Sequence, residues 1–162
     1  MKSNEIFLDD AIEVIEEVLA SGGEFKMYPK GISMLPLIRQ GVDSVVLVRD
    51  KNVPLKKQDI AFYKRDNGQF VLHRVMSCEV DGTYTMCGDN QTFLERGIRA
   101  DQIIGKVDRL YKKEKLFRFD GIRYKIYLAI WCRMRVRLFL RLPKRAVAKI
   151  KRICTKREKT VD

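Results

Sequence analysis

Three short segments contain residues whose side chains could carry out hydrolysis. Ser33 stands just before a proline-limited turn, His73 is the only histidine of the chain, and Asp89 lies within Cys87-Gly88-Asp89-Asn90. A serine hydroxyl is a weak nucleophile until a base takes its proton, and imidazole is the commonest such base. Each segment also has a structural interpretation: a serine before a turn, a histidine in a strand, and a Gly-Asp-Asn turn.

One hairpin decides whether two of these residues meet. If Val80-Asp81-Gly82 forms a three-residue loop with Gly82 in the left-handed conformation, His73 lies directly opposite Asp89. Facing side chains have Cβ atoms about 5 Å apart, so that the carboxylate would fix the imidazole tautomer and stabilise its cation. A two-residue loop would shift the register by one residue and put the two side chains on opposite faces.

Short motifs follow one another in a characteristic order between residues 26 and 107. They are Ser-Met-x-Pro from Ser33, Asp-Ile from Asp59, His-Arg-Val from His73, Gly-Asp-Asn from Gly88 and Ile-Gly-Lys-Val from Ile104. In this order they resemble the type I signal peptidases, and most closely the endoplasmic-reticulum and archaeal kind, in which histidine replaces the lysine of the bacterial enzymes. The resemblance is to a small bacterial-type member that lacks the N-terminal anchor.

The resemblance implies a serine endopeptidase that cleaves signal or leader peptides from a precursor, without metal or cofactor. It makes Ser33 the nucleophile, His73 the general base and Asp89 the support of the histidine, with Gly88 and Asn90 beside it. The oxyanion of the tetrahedral intermediate needs hydrogen-bond donors, of which the Ser33 amide is the first.

Several positions qualify the comparison with that family. Gly31 stands where bacterial relatives have a second oxyanion donor, a hydroxyl, and Met34 is expected to shape the cleft wall. Gln58 replaces the glycine that often precedes Asp-Ile. Relatives often have another acid after Gly-Asp-Asn, and the sequence leaves open whether Glu95 or Asp101 takes that place.

The pattern of elements predicts a mainly β protein of the α+β class. Residues 1–23 read as an amphipathic helix, residues 24–111 as a β catalytic domain, and residues 112–162 as a basic helical tail. Short strands linked by tight turns indicate a coiled antiparallel sheet or partial barrel of the signal peptidase–LexA-like type. Predicted strands are 24–28, 44–49, 59–65, 69–78, 83–88 and 103–111.

The net charge of +12 is concentrated in the tail. Residues 109–157 hold 18 Lys and Arg against Glu114 and Asp120 alone, whereas residues 1–108 hold 14 basic and 17 acidic residues. The tail therefore predicts a basic amphipathic helix that lies on an anionic membrane surface. The anion contacts would come from arginines spaced by four, namely Arg133, Arg137, Arg141 and Arg145.

The composition of the chain argues against several other classes of protein. We expect no transmembrane helix, because the uncharged runs are too short to span a bilayer, and no secretory signal at the N-terminus. The four cysteines form no Cys-x-x-Cys pair, so reduced thiols are expected rather than a zinc site. The preferred interpretation is a peripheral enzyme on the cytoplasmic side of the membrane.

Two alternatives remain. The first is a non-catalytic LexA-like binding module whose tail binds nucleic acid or a partner, although the helix at residues 5–20 is too short and too acidic for a helix-turn-helix. In the peptidase interpretation, by contrast, nucleic acid is not an expected partner, and the tail could instead dock onto a transporter or another membrane partner. The second alternative is a scaffold in which His73 is buried and Ser33 is a cap.

Overall fold

The computed structural model describes residues 8–49 and 53–131. The chain divides into two compact units, Met1–Gly121 and Ile122–Asp162. The described residues of the first unit form one α-helix, a short 3-10 helix and an eight-stranded antiparallel sheet, and those of the second unit form one helix. The elements are α1 Leu8–Ala20, β1 Phe25–Met27, β2 Asp43–Val48, β3 Ile60–Lys64, β4 Phe70–Cys78, β5 Tyr84–Cys87, β6 Glu95–Ile98, a 3-10 helix Ala100–Gln102, β7 Ile103–Lys112, β8 Lys115–Phe117 and α2 Ile122–Trp131.

The sheet is an open antiparallel array with strand order β1-β2-β7-β3-β4-β5-β6. The long strand β7 pairs with β2 along one edge, and its other edge is shared by β3 and β8. The mainly β, α+β class predicted from the sequence is therefore observed. The predicted boundary between residues 111 and 112 falls inside β7.

Helix α1 packs on the sheet through the residues that its periodicity selects. Ile12, Ile15 and Leu19 are buried, at spacings of three and four. A Cβ at Gly105 of β7 would lie 2.9 Å from the Leu19 side chain, so the glycine is what permits this close approach. The helix ends as predicted, with Ser21 and Gly23 bonded back to its last turn.

Both predicted hairpins are present. Gly68 and Gly82 have φ values of +84° and +81°, the left-handed conformation that closes each turn. In the second hairpin, Glu79 N–H donates to the Thr83 carbonyl at 2.8 Å, which makes 80–82 the expected three-residue loop. Strands β6 and β8 were not predicted, because neither contains a run of β-branched or aromatic residues.

The register of the second hairpin changes partway along β4. Ser77 lies opposite Thr85, as the loop predicts, but Val75 lies opposite Met86 because a β-bulge intervenes. The bulge inserts one extra residue into β4. Arg74 therefore pairs with Cys87, and the predicted juxtaposition of His73 and Asp89 across the hairpin is wrong.

Among the described residues, no helix is both long and apolar enough to cross a membrane. The predicted arginine contacts at 133, 137, 141 and 145 lie outside the described residues. Of the predicted tail, only the segment up to Trp131 is described.

Candidate active site

Ser33 lies in the loop between β1 and β2, and the turn after β5 holds this loop in place. The Ser33 carbonyl accepts a hydrogen bond from the Asn90 N–H at 2.6 Å, and the Asn90 side chain donates to the Ile32 carbonyl at 3.0 Å. A Cβ at Gly88 would lie 2.8 Å from the Ser33 carbonyl oxygen. Gly88 and Asn90, selected from the sequence as supporting residues, thus clamp the backbone that carries the serine.

Asp89 lies between these two clamp residues, and its carboxylate is bound by a guanidinium. Arg74 Nε and Nη2 donate to its two oxygens at 2.8 and 2.6 Å, and both side chains are buried. Arg74 also donates to the Gln58 carbonyl at 2.9 Å. The bidentate pair fixes the Gly88–Asn90 turn to β4 in the strand position next to His73.

The carboxylate in contact with His73 is that of Glu95, at the start of β6. His73 Nδ1 lies 3.1 Å from Glu95 Oε1 and 3.1 Å from the Tyr63 hydroxyl, and the ring is 1% exposed. The Tyr63 hydroxyl donates to Glu95 Oε2 at 2.9 Å, and Arg65 binds both carboxylate oxygens. Of the two acids that the sequence left open, Glu95 thus reaches the histidine, whereas the exposed Asp101 pairs with Arg99.

The protons in this network can be assigned by counting donors. Arg65 can only donate, and the single proton of Tyr63 is directed to Glu95, so both groups act as donors to the carboxylate. His73 is the third neighbour of this carboxylate, and a proton on its Nδ1 makes it a donor to Glu95 Oε1 as well. This tautomer leaves the lone pair on Nε2, and Nε2 makes no hydrogen bond to any residue that the structure describes.

The electrostatics keep the imidazole neutral. Burial lowers the pKa of His73 below its ordinary value and Arg65 lowers it further, and together they outweigh the raising effects of Glu95 and Asp89. Burial acts to raise the pKa of Glu95, but the hydrogen bonds from Arg65 and Tyr63 outweigh it, so its pKa is lowered and it stays ionised. Burial and the neighbouring carboxylate also raise the pKa of Tyr63, which keeps its proton. Near neutral pH, His73 is therefore an uncharged base beside a carboxylate.

Ser33 borders a cavity of about 190 Å³ with a mainly apolar lining. Gly31 and the buried Met34 contribute to the wall, as does Leu72 of β4, whose side chain lies on the opposite face of the strand from that of His73. A larger cavity of about 380 Å³ is lined by none of the candidate residues. The Ser33 cavity has the size and character for one or two small aliphatic side chains.

The backbone N–H of Ser33 donates to no acceptor in the described part of the chain, so it is available to an oxyanion. The Gly31 N–H is occupied, since it donates to Gln40 Oε1 at 2.7 Å. No hydrogen bond joins the Ser33 hydroxyl to His73 within the described residues. Gln58 adopts φ +79°, a conformation that glycine takes without strain, at the position where the predicted family often has glycine.

Sequence reasoning missed Tyr63 and Arg65, for which a signal was present, and left the role of Glu95 open. The Asp66-Asn67-Gly68 hairpin sets Ala61 opposite His73 and Tyr63 opposite Val71. Strand alternation then puts Tyr63 and Arg65 on the face of His73. Glu95 had no such signal, because its strand was not predicted.

The described residues contain no group of side chains arranged to hold a metal ion. No protein-family model, curated protein or solved structure matches this chain.

Proposed function

We propose that this protein is a serine endopeptidase with the fold of the signal peptidases and LexA-like proteins, and that it cleaves leader or signal peptides. The observation that carries the proposal is the histidine network. His73 is buried and neutral, its Nδ1 faces Glu95, and its Nε2 is left as the basic nitrogen. A carboxylate that orients an imidazole in this way is the arrangement of serine hydrolases, in which the other ring nitrogen takes the hydroxyl proton.

In the proposed reaction, His73 Nε2 takes the proton of Ser33 as the hydroxyl attacks the peptide carbonyl. Glu95 stabilises the imidazolium that forms, and the Ser33 N–H donates to the oxyanion. The imidazolium then gives its proton to the leaving amine, and a water molecule activated by His73 releases the acyl group. The Ser33 hydroxyl must reach Nε2 in the substrate complex, since hydrogen bonds between catalytic groups often tighten only when substrate binds.

The position of Ser33 supports this pairing. Its carbonyl oxygen lies where a side chain on Gly88 would project, and β5 ends at Cys87, opposite Arg74. The serine loop thus reaches the end of β5 at the level of Arg74, the residue that follows His73 on β4. Asp89 takes the role of a positioning residue, because its ion pair with Arg74 holds the clamp, and its charge also raises the pKa of His73.

The cavity beside Ser33 indicates the substrate. Its apolar lining and volume of about 190 Å³ suit small aliphatic side chains near the cleaved bond. Precursor leaders with small residues before the cut are therefore the proposed substrates.

The test is cleavage of a library of leader-like peptides, read by mass spectrometry, with the full chain and with Ser33→Ala and His73→Gln. We expect cleavage by the parent at one class of small-residue site, and a loss of at least about 10³-fold in both variants. Ser21→Ala is the matched control, because Ser21 only caps α1, and it should cleave normally. Unchanged cleavage by Ser33→Ala would rule out the mechanism, and absence of cleavage by the parent, with retention on duplex DNA, would favour a binding module.

A further inference from the structure

Helix α2 exposes a stripe of isoleucines, which we call the isoleucine face. Ile122, Ile126 and Ile130 recur every four residues and are 70%, 53% and 45% exposed. Residues four apart lie on one side of a helix. Burying side chains of this kind in an apolar environment is favourable, and a contiguous exposed set of them marks an interaction surface.

The opposite side of α2 is also apolar. Tyr124, Tyr127 and Trp131 stack in sequence, with ring centroids 6.1 and 6.0 Å apart. The charges of α2 are Arg123 and Lys125, both exposed and both near its start. The described part of the tail is therefore less amphipathic than predicted, and the isoleucine face was not among the features predicted from the sequence.

The residues that follow α2 in the sequence are strongly basic. Residues 132–157 contain 11 Lys and Arg and no Asp or Glu. An apolar face followed in the sequence by so many cations matches the chemistry of an anionic bilayer, whose surface offers phosphates above an apolar interior. We propose that the isoleucine face of α2 inserts into the interface of an anionic lipid bilayer, to which the positive charge of the sequence attracts the chain.

Other occupants satisfy only part of this surface. Nucleic acid would pair with the cations but leave the isoleucines in water. A second copy of the chain would cover the isoleucines but bring a second cluster of like charge beside the first. A bilayer provides for both features. The inference does not depend on the proposed peptidase.

Vesicle flotation tests the proposal. The full chain is mixed with vesicles of phosphatidylglycerol and phosphatidylcholine, or of phosphatidylcholine alone, at physiological salt. We expect co-flotation with the anionic vesicles only. Absence of co-flotation with them, or equal binding to both vesicle types, would overturn the proposal.

Serine substitutions test the contribution of the isoleucine face to vesicle binding separately from that of the positive charge. Ile122→Ser, Ile126→Ser and Ile130→Ser combined should weaken vesicle binding on the order of tenfold or more. The matched control, Val80→Ser at the exposed tip of the β4–β5 hairpin, should bind as the parent does. Unchanged affinity of the triple variant would overturn the proposal. Circular dichroism of each variant checks that it is folded. Sedimentation without lipid measures the oligomeric state, and a dimer that only the triple variant loses would assign the face to self-association.

Discussion

At the scale of single residues, the tautomer of His73 follows from the groups that contact its Nδ1 atom. Tyr63 and Glu95 occupy that side of the ring, and Arg65 holds Glu95 in turn. A buried imidazole with one nitrogen engaged in this way can exchange a proton only through the other. The arrangement assigns different tasks to the neighbours: Glu95 supplies charge, whereas Tyr63 supplies a hydrogen bond.

The pKa of His73 leads to a prediction for the pH dependence of peptide cleavage. Because burial lowers this pKa below 6.5, the neutral base is present above the lowered value and protonated below it. The acid limb of kcat/KM should therefore have an apparent pKa below 6.5, with a plateau through neutral pH. An acid limb centred above 6.5 would contradict the assignment of His73 as the base.

Glu95→Gln should change this profile in two ways. Since Glu95 raises the pKa of His73, its loss should move the acid limb to still lower pH, and the plateau should fall about 10²-fold because the imidazolium loses its carboxylate. Glu95→Asp should restore part of the activity, and Tyr63→Phe should reduce it less. A variant that loses activity with an unshifted acid limb would make Glu95 merely structural.

At the scale of elements, the clamp between the Gly88–Asn90 turn and the Ser33 loop positions the nucleophile. The turn is tied to β4 by the Arg74–Asp89 pair and to the loop by Asn90. Hairpins with glycine turns and strands with β-branched runs were predictable from local sequence. The β-bulge near Met76 and strand β6 were not, because each depends on pairing partners rather than on local propensity.

Gly88→Ala tests the clamp. The added Cβ would lie 2.8 Å from the Ser33 carbonyl oxygen, so the serine loop must shift. We expect the free energy of unfolding to fall by about 1–3 kcal/mol and cleavage by at least about tenfold. Gly121→Ala is the control, because its nearest atom is 3.6 Å away and nothing must move. Activity equal to that of the control would show that the loop is not held here.

At the scale of the whole molecule, the sheet-containing unit gains stability from groups that bind fewer protons when folded. The pKa of His73 is lowered by burial. Burial opposes a lowered pKa at Asp43 and Glu95, but hydrogen bonds from Arg39 and Arg65 outweigh it, so these values are lowered as well. Each contribution to the free energy of unfolding is present above the pKa that the group has in the unfolded chain. It is lost as the pH falls through the pKa that the group has in the folded protein.

The free energy of unfolding, measured by urea titration, should therefore decrease as the pH falls below 6.5. His73 is the only histidine, so it accounts for the first part of the decrease, by about 1.4 kcal/mol for each unit by which its pKa is lowered. His73→Gln should remove this part and keep the later decrease due to carboxylates. An equal slope in parent and variant between pH 6.5 and 5 would refute the account.

The sequence by itself determined the β-rich class, helix α1, both hairpin loops, and the choice of Ser33, His73 and the Gly88–Asn90 turn. These depend on periodicity, turn residues and motif order, which are local properties. Only the tertiary structure decided which acid meets the histidine. Because one extra residue bulges from β4, the register shifts and Asp89 pairs with Arg74, whereas Glu95, on a strand that was not predicted, contacts His73. Register and long-range pairing are set by packing across the sheet, which local sequence does not reveal.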